Sequence, residues 1–281
     1  MNISIIIPTY NNLEYLKICL ESLKKNSQLK HEIILHVNDG SDGTLKFAKE
    51  NNILHSFSVN NVGLCTAINT AVKKASSNLL LYAHDDMYFC PNWDNYLLNE
   101  INQIDHNLYY FSGTMIEKNS AHISFNCGET FENFDENKLL NNFDKLVFFN
   151  HQGSHFAPHL VHRELWDKVG GFSEEFNPGI GSDPDFNMKL WNEGVRIFKG
   201  INNFRVYHFS SITTRKKNIK SNKGNLIFLK KWGFTHKFFK KHFLRSKTLY
   251  MGPLIEPKKN ISFYLDLFIC KLKILYYTIV K

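Results

Sequence analysis

Three short apolar runs in the first ninety residues each end in a polar tip, and this repetition constrains the fold more than any other feature of the chain. Residues 3–7 run into Pro8-Thr9-Tyr10-Asn11, residues 32–37 into Asn38-Asp39-Gly40-Ser41-Asp42-Gly43, and residues 79–83 into His84-Asp85-Asp86. A further apolar run covers 56–59. Between the runs, Leu13, Leu16, Leu20 and Leu23 recur at helical spacing, and 66–75 reads the same way. Strands alternating with helices predict an α/β fold, a Rossmann-like, mostly parallel central sheet flanked by helices. Ligands of such sheets bind outside the carboxyl ends of the strands, so the three tips are expected to face one crevice. Further along, 162–169 and 185–193 read as helices, the second starting after Pro184 and stopping at Gly194. Residues 206–209 read as a short strand, and 108–149, Asn-rich and acidic in places, carry no assignment.

The tips hold carboxylates suited to particular chemistry. Asp39 can accept the N3–H of a uracil ring, although an Asp before Gly is equally a turn former. Asp85 and Asp86 suit Mg2+ or Mn2+ held against a diphosphate, because hard cations take one or two carboxylates from a protein. Asp183, in Gly179-Ile180-Gly181-Ser182-Asp183-Pro184-Asp185, is kept from helical geometry by the following proline and suits a helix N-cap. The same carboxylate on a glycine-rich loop also suits a general base reaching an acceptor hydroxyl. His151, His155, His159 and His162 suggest a zinc site only weakly, since Gly153 and Pro158 interrupt a continuous helix. Trp93 and Trp166 read as core or pocket wall rather than a stacking platform for nucleic acid.

The 281 residues suffice to bury roughly three quarters of the unfolded surface in one large domain with an appendage. Five scattered cysteines without a Cys-x-x-Cys pair argue against a disulfide framework and fit a reducing, cytoplasmic setting. The N-terminus shows neither a basic leader nor an apolar run of spanning length. The net charge of +8 is unevenly placed: residues 1–214 hold 17 Lys+Arg against 24 Asp+Glu, and residues 215–281 hold 17 against 2. The basic region therefore anticipates an anionic surface. Within it, 226–232 and 234–244 read as basic amphipathic helices. In 261–280, Ser262, Asp266, Cys270, Lys273 and Tyr277 continue a polar stripe from Lys259 on an otherwise apolar helix. Its charges argue against a membrane span and leave interfacial insertion, or packing on the enzyme or a second subunit.

Six segments occur together in order: SIIIPTYNN, VNDGSDGT, NNVGLCTAIN, LLLYAHDDMYFCPNW, VGGFSEEF and GSDPDFNMKLWNEG. Over residues 3–210 the chain thereby resembles the family-two glycosyltransferases. The resemblance implies a GT-A-type catalytic domain over 1–214, followed by a basic helical extension over 215–281. It implies an inverting transfer from a nucleotide sugar, UDP-linked, to an acceptor hydroxyl, and the basic C-terminal region suggests that the acceptor is a glycan or lipid-linked molecule of bacterial surface polysaccharide or lipopolysaccharide synthesis. Pro8, Thr9, Tyr10, Asp39, Asn61 and Gly63 would bind the nucleotide, Asp85 would lie near the ribose or donor sugar, and His155 would hydrogen-bond a hydroxyl. Asp86 and His208 would hold Mn2+ or Mg2+, and Asp183 would be the base. Three positions depart from the pattern: Asn38 stands for an acidic residue, Ile68 for a basic one and Ser182 for an acidic one. Expected partners are the nucleotide sugar, the acceptor, the inner face of an anionic membrane and a second copy of the chain. Nucleic acid is not expected. A sugar nucleotidylyltransferase would need a glycine-rich, basic triphosphate loop near the N-terminus, which PTYNNLEY is not; a non-catalytic membrane or nucleic-acid module would leave the ordered carboxylates unused.

Overall fold

The first apolar run forms β1 (Ser4–Tyr10), and its isoleucines are shielded on both faces, the pattern of an inner strand of a parallel sheet. In this computed structural model, which describes residues 2–119, 122–209 and 223–279, β1 lies between β2 (Glu32–Asn38) and β4 (Leu79–Tyr82), parallel to both. Outside β2 runs β3 (Leu54–Ser58), also parallel. The helices α1 (Leu13–Asn26), α2 (Thr44–Glu50) and α3 (Leu64–Val72) follow β1, β2 and β3. Of the expected stripe of α1, Leu16 and Leu23 are buried, Leu13 and Leu20 are half-buried, and Cys19 is buried beside them. The expected strand 56–59 thus starts two residues earlier and ends at Ser58.

The other half of the sheet comes from later in the chain. An antiparallel strand, β9 (His159–His162), is inserted between β4 and β6 (Tyr109–Glu117). Then follow β10 (Ile197–His208), parallel to β6, and β5 (Met87–Phe89) at the edge. Two short strands, β7 (Ile123–Ser124) and β8 (His151–Gln152), pair with β6 and β10. The order is β3-β2-β1-β4-β9-β6-β10-β5, with most strands pointing the same way. The helices α4 (Trp93–Ile101), α5 (Glu136–Leu140), α6 (Arg163–Val169) and α7 (Ser182–Asn192) complete this part. None of the five cysteines forms a disulfide.

Several sequence expectations are corrected. The expected strand 206–209 is the last third of a 12-residue β10, whose earlier residues alternate too irregularly to read as a strand. The helix expected over 162–169 starts at Arg163, because His162 closes β9. Most important, α7 starts at Ser182 and its N-cap is Gly181, not Asp183. Gly181 has φ +88°, and a Cβ there would sit 3.0 Å from Phe176 and 3.1 Å from the Gly224 carbonyl. Pro184 falls in the first turn, where an absent N–H costs nothing.

Beyond residue 222 the chain forms α8 (Gly224–Trp232), α9 (His236–Phe239) and α10 (Ile261–Ile279). The single helix expected over 234–244 is instead α9, capped by Thr235, followed by a π-helical turn over 240–244 that ends at Arg245 with φ 51°. Phe228, Phe239, Leu244 and Leu254 belong to the same buried cluster as the sheet, so this region packs as part of the main body. The expected boundary at 214/215 and the basic residues 215–217 and 220 lie outside the described residues.

Candidate active site

The tips of β1, β2 and β4 are stitched together by two asparagines that follow β1. Asn11 donates through Nδ2 to Asp39 Oδ2 at 2.9 Å and to Ser41 Oγ at 3.0 Å. Asn12 donates to Asp85 Oδ1 at 3.0 Å in a buried contact. Asp39 turns the chain with φ 64°, and its Oδ1 accepts from the Ser41 amide. Thr9 is buried beside them, its hydroxyl without a hydrogen-bond partner among the described residues. Pro8 and Tyr10 complete the β1 tip, in register with His36 and Asn38 of β2.

Asn38, where the family pattern suggested a carboxylate, has a structural task. Its Oδ1 accepts from the Val62 amide and the Ser58 hydroxyl, tying the β3–α3 loop to the end of β2. In that loop, Asn61 accepts from the Gly63 amide, and Gly63 has φ +85°. A Cβ on Gly63 would lie 2.5 Å from the Asn177 side chain. Asn177 accepts from the Cys65 amide at 2.9 Å and donates to Thr66 Oγ1 at 2.8 Å, so a loop more than a hundred residues away caps α3. Ile68 is fully buried and brings no charge to the site.

The third tip forms the most charged part of the site. Asp86 is buried, and its Oδ1 lies 3.3 Å from His208 Nε2, at the end of β10, and 3.9 Å from His84 Nδ1. Ligand atoms of His84, Asp86 and His208 fall within 4.8 Å of one another, the group of described residues close enough to share a metal ion. His208 Nδ1 lies 2.6 Å from Glu117 Oε1, at the end of β6. Donation of the Nδ1 proton to Glu117 turns Nε2 toward Asp86, the carboxylate–histidine arrangement that orients metal-bound imidazoles. Burial would lower the His208 pKa, but the Asp86 and Glu117 carboxylates override it and raise it to about 10, so a metal ion held by Nε2 would take the place of its proton. His84 is pushed down to about 4 by burial, so it is neutral near pH 7 with a lone pair to offer. Two imidazoles and a carboxylate suit Mn2+ better than Mg2+, which prefers an all-oxygen shell.

Asp183 sits in the first turn of α7, half-buried, with Oδ1 shielded from solvent and lacking a hydrogen-bond partner among the described residues. Burial raises its pKa from 3.8 to about 7. Tyr82, the last residue of β4, connects it to the other acids: burial first, then the charges of Asp183, Asp85 and Asp86, push its hydroxyl pKa well up. Two residues beyond Asp183, the fully buried Asp185 accepts from Ser173 Oγ at 2.7 Å and Trp232 Nε1 at 2.8 Å, and pairs with Lys231 at 2.9 Å. The carboxylate that fixes the start of α7 is thus Asp185, gripped by α8. His155 is buried with its Nδ1 3.2 Å from the Gly153 carbonyl, and burial first, then the nearby charge of Lys240, lowers its pKa to about 3.

Asn11 and His84 stood in the expected tips without a role of their own, and Glu117, Asn12, Tyr82 and Asn177 escaped the sequence reading. Glu117 ends an apolar run within 108–149, and assigning that run as a strand would have put it at a fourth tip. Asn177 has no signal before the loops meet in space.

Comparison with known proteins places the chain. Residues 4–165 match glycosyl transferase family 2. An uncharacterized glycosyltransferase of Rickettsia prowazekii is 28% identical over 178 residues, 61% of this chain and 54% of the relative. One of Bacillus subtilis, YwdF, is 32% identical over 108 residues, 37% of this chain and 40% of the relative. This chain thus spans only about half the length of these relatives. Among solved structures, Staphylococcus aureus TarS 1–349 in complex with UDP-GlcNAc superposes with a TM-score of 0.54 at 18% identity, over 75% of this chain and 61% of that one. GalNAc-T7 with UDP, GalNAc and Mn2+ superposes with a TM-score of 0.56 at 17% identity, over 74% and 44%. These structural likenesses bear on the fold, which is that of the GT-A glycosyltransferases. The family match covers more than half of the sequence, and the chain belongs to glycosyl transferase family 2.

Proposed function

We propose that the protein transfers a sugar from a UDP-linked donor to a hydroxyl of a glycan or lipid-linked acceptor in one inverting displacement. The observation that carries this reading is the convergence of Asp39, Asp85, Asp86 and His208 at the strand tips, held by Asn11, Asn12 and Glu117. Asp39 would accept the uracil N3–H, with Pro8, Thr9, Tyr10, Asn61 and Gly63 around the nucleoside, and Asp85 would face the ribose or donor sugar. His155 would hydrogen-bond a sugar or acceptor hydroxyl.

Asp86 and His208, with His84 beside them, would hold a divalent cation, Mn2+ by the donor chemistry. When bound, the ion supplies positive charge to the departing diphosphate. Glu117 keeps the His208 ring oriented, and the surrounding carboxylates favour a cation at this point. Asp183 would take the proton from the acceptor hydroxyl as its oxygen attacks the anomeric carbon. Its raised pKa suits that task, since a base titrating near the working pH combines availability with driving force. Such an enzyme would serve surface polysaccharide or lipopolysaccharide synthesis from the inner face of the cytoplasmic membrane, held there peripherally.

A thermal-shift panel of nucleoside diphosphates and nucleotide sugars, with and without Mn2+, tests the donor reading. UDP is expected to raise Tm in a Mn2+-dependent way, and Asp39→Ala and Asp86→Ala to weaken that shift. Equal shifts with ADP, GDP and UDP, indifferent to EDTA, would refute both assignments.

A further inference from the structure

Helix α10 is mounted with its polar stripe against the protein and its apolar side outward. Asp266 accepts from Lys241 Nζ at 2.6 Å and pairs with His242 at 2.7 Å, while Ser262 accepts from Lys241 at 3.0 Å. Cys270 is buried and accepts from the Thr235 amide, and Phe263 is buried against Phe238. Ser262, Asp266 and Cys270 of the stripe expected from the sequence therefore supply docking contacts on α9, its cap and the turn after it, while Lys273 and Tyr277 stay exposed.

The opposite side is bare among the described residues. Ile261, Tyr264, Leu265, Phe268, Leu272, Leu275, Tyr276 and Ile279 are each about half exposed or more, with Ile261 at 80% and Ile279 at 71%. At 3.6 residues per turn they fall within an arc of about 120°, with Lys271 flanking one edge and Lys273 lying beyond the other. Among the described residues, nothing of the enzyme packs on this face. Residues 223–279 hold twelve Lys and Arg against Glu256 and Asp266. That excess opposes apposition of two copies and complements a negative surface. No helix among the described residues is long and apolar enough to cross a membrane.

We propose that the outward face of α10 lies flat in the interface of an anionic lipid bilayer, its apolar arc among the acyl chains and Lys271 and Lys273 reaching the headgroups. This deepens the reading of a membrane-presented acceptor and rests on it for its purpose, but docking is measurable with no sugar present. Because α10 packs on α8 and α9, and Lys231 and Trp232 of α8 hold Asp185, docking would orient the helix that carries Asp183 relative to the bilayer.

The test is flotation of the full chain with vesicles of phosphatidylglycerol and phosphatidylethanolamine, with phosphatidylcholine vesicles as the neutral control. Wild type is expected to bind the anionic vesicles more tightly and to keep part of its binding in high salt. The variant Leu265→Gln/Phe268→Gln/Leu272→Gln is expected to bind about 100-fold more weakly and to lose the salt-resistant part. Lys271→Glu/Lys273→Glu is expected to lower low-salt binding by about 10-fold or more. Phe268→Trp, which keeps the face apolar, should show an emission blue shift on vesicles but not in buffer. The UDP-induced Tm shift, read on the same proteins, should stay at wild-type size, which separates failure of docking from failure of the donor reading. Wild-type binding by the triple variant, or no blue shift from the Phe268→Trp variant, overturns the proposal. So does a wild-type dimer that ignores vesicles and becomes monomeric in the triple variant.

Discussion

Replacing Asp183 by Asn should abolish transfer and, above neutral pH, make the protein more stable. Burial lifts the carboxyl from 3.8 to about 7, so the folded state binds a proton that the unfolded state has released across that interval. Wild-type stability therefore falls as pH rises from about 4 to about 7, and the whole penalty is present above 7. At roughly 1.4 kcal/mol per pH unit the interval caps the penalty at about 4 kcal/mol. Asparagine removes the charge but leaves a shielded amide lacking partners, as Oδ1 lacks one now, at a cost of about 1–2 kcal/mol. The net gain expected at pH 8 is about 1–3 kcal/mol, or about 2–5 °C in Tm for a chain of this size. The gain should shrink to nothing or reverse near pH 4, where wild type is protonated in both states. Calorimetry of wild type and Asp183→Asn from pH 4 to pH 9 measures it. In wild type, kcat/KM should rise with pH through about 7. If the Asn variant is less stable at pH 8, by an amount that does not change with pH, Asp183 is a structural group and the base lies elsewhere.

Asp185→Ala should act in the opposite sense. It leaves the Trp232 indole N–H unpaired and strips Lys231 of one of two carboxylate partners, Glu175 remaining at 2.7 Å, for a loss of about 2–4 kcal/mol in chemical denaturation. UDP affinity should be unchanged, and an unaltered denaturation midpoint would show that α8 does not hold α7. Glu117→Gln removes the charge behind His208 and should weaken Mn2+ binding, titrated calorimetrically on the free protein, by about 10-fold or more. Unchanged affinity would mean that the ring is oriented without Glu117.

The parallel half of the sheet was legible because β1, β2 and β4 are continuous apolar runs closed by polar tips, and an inner strand buried on both faces must read that way. Three of its tips pointed to the candidate site for the same reason. Residues 108–149 did not, since β6 buries Ser112 and Thr114, and polar residues satisfied inside a sheet erase the period that marks a strand. Asp183 and Asp185 look alike in sequence, and each could have been cap or base. The difference lies in which of them meets Ser173, Lys231 and Trp232.

By itself the sequence determined the family, the α/β fold, and the order of the strand tips with the carboxylates they present, because these follow from local period and residue type. Only the tertiary structure decided that Glu117 and His84 join Asp86 and His208, that Asn177 caps α3, and that α10 turns its apolar side outward. Each of these depends on segments far apart in the chain meeting in space. Burial and charge at such meetings arise from neighbours that no local pattern specifies.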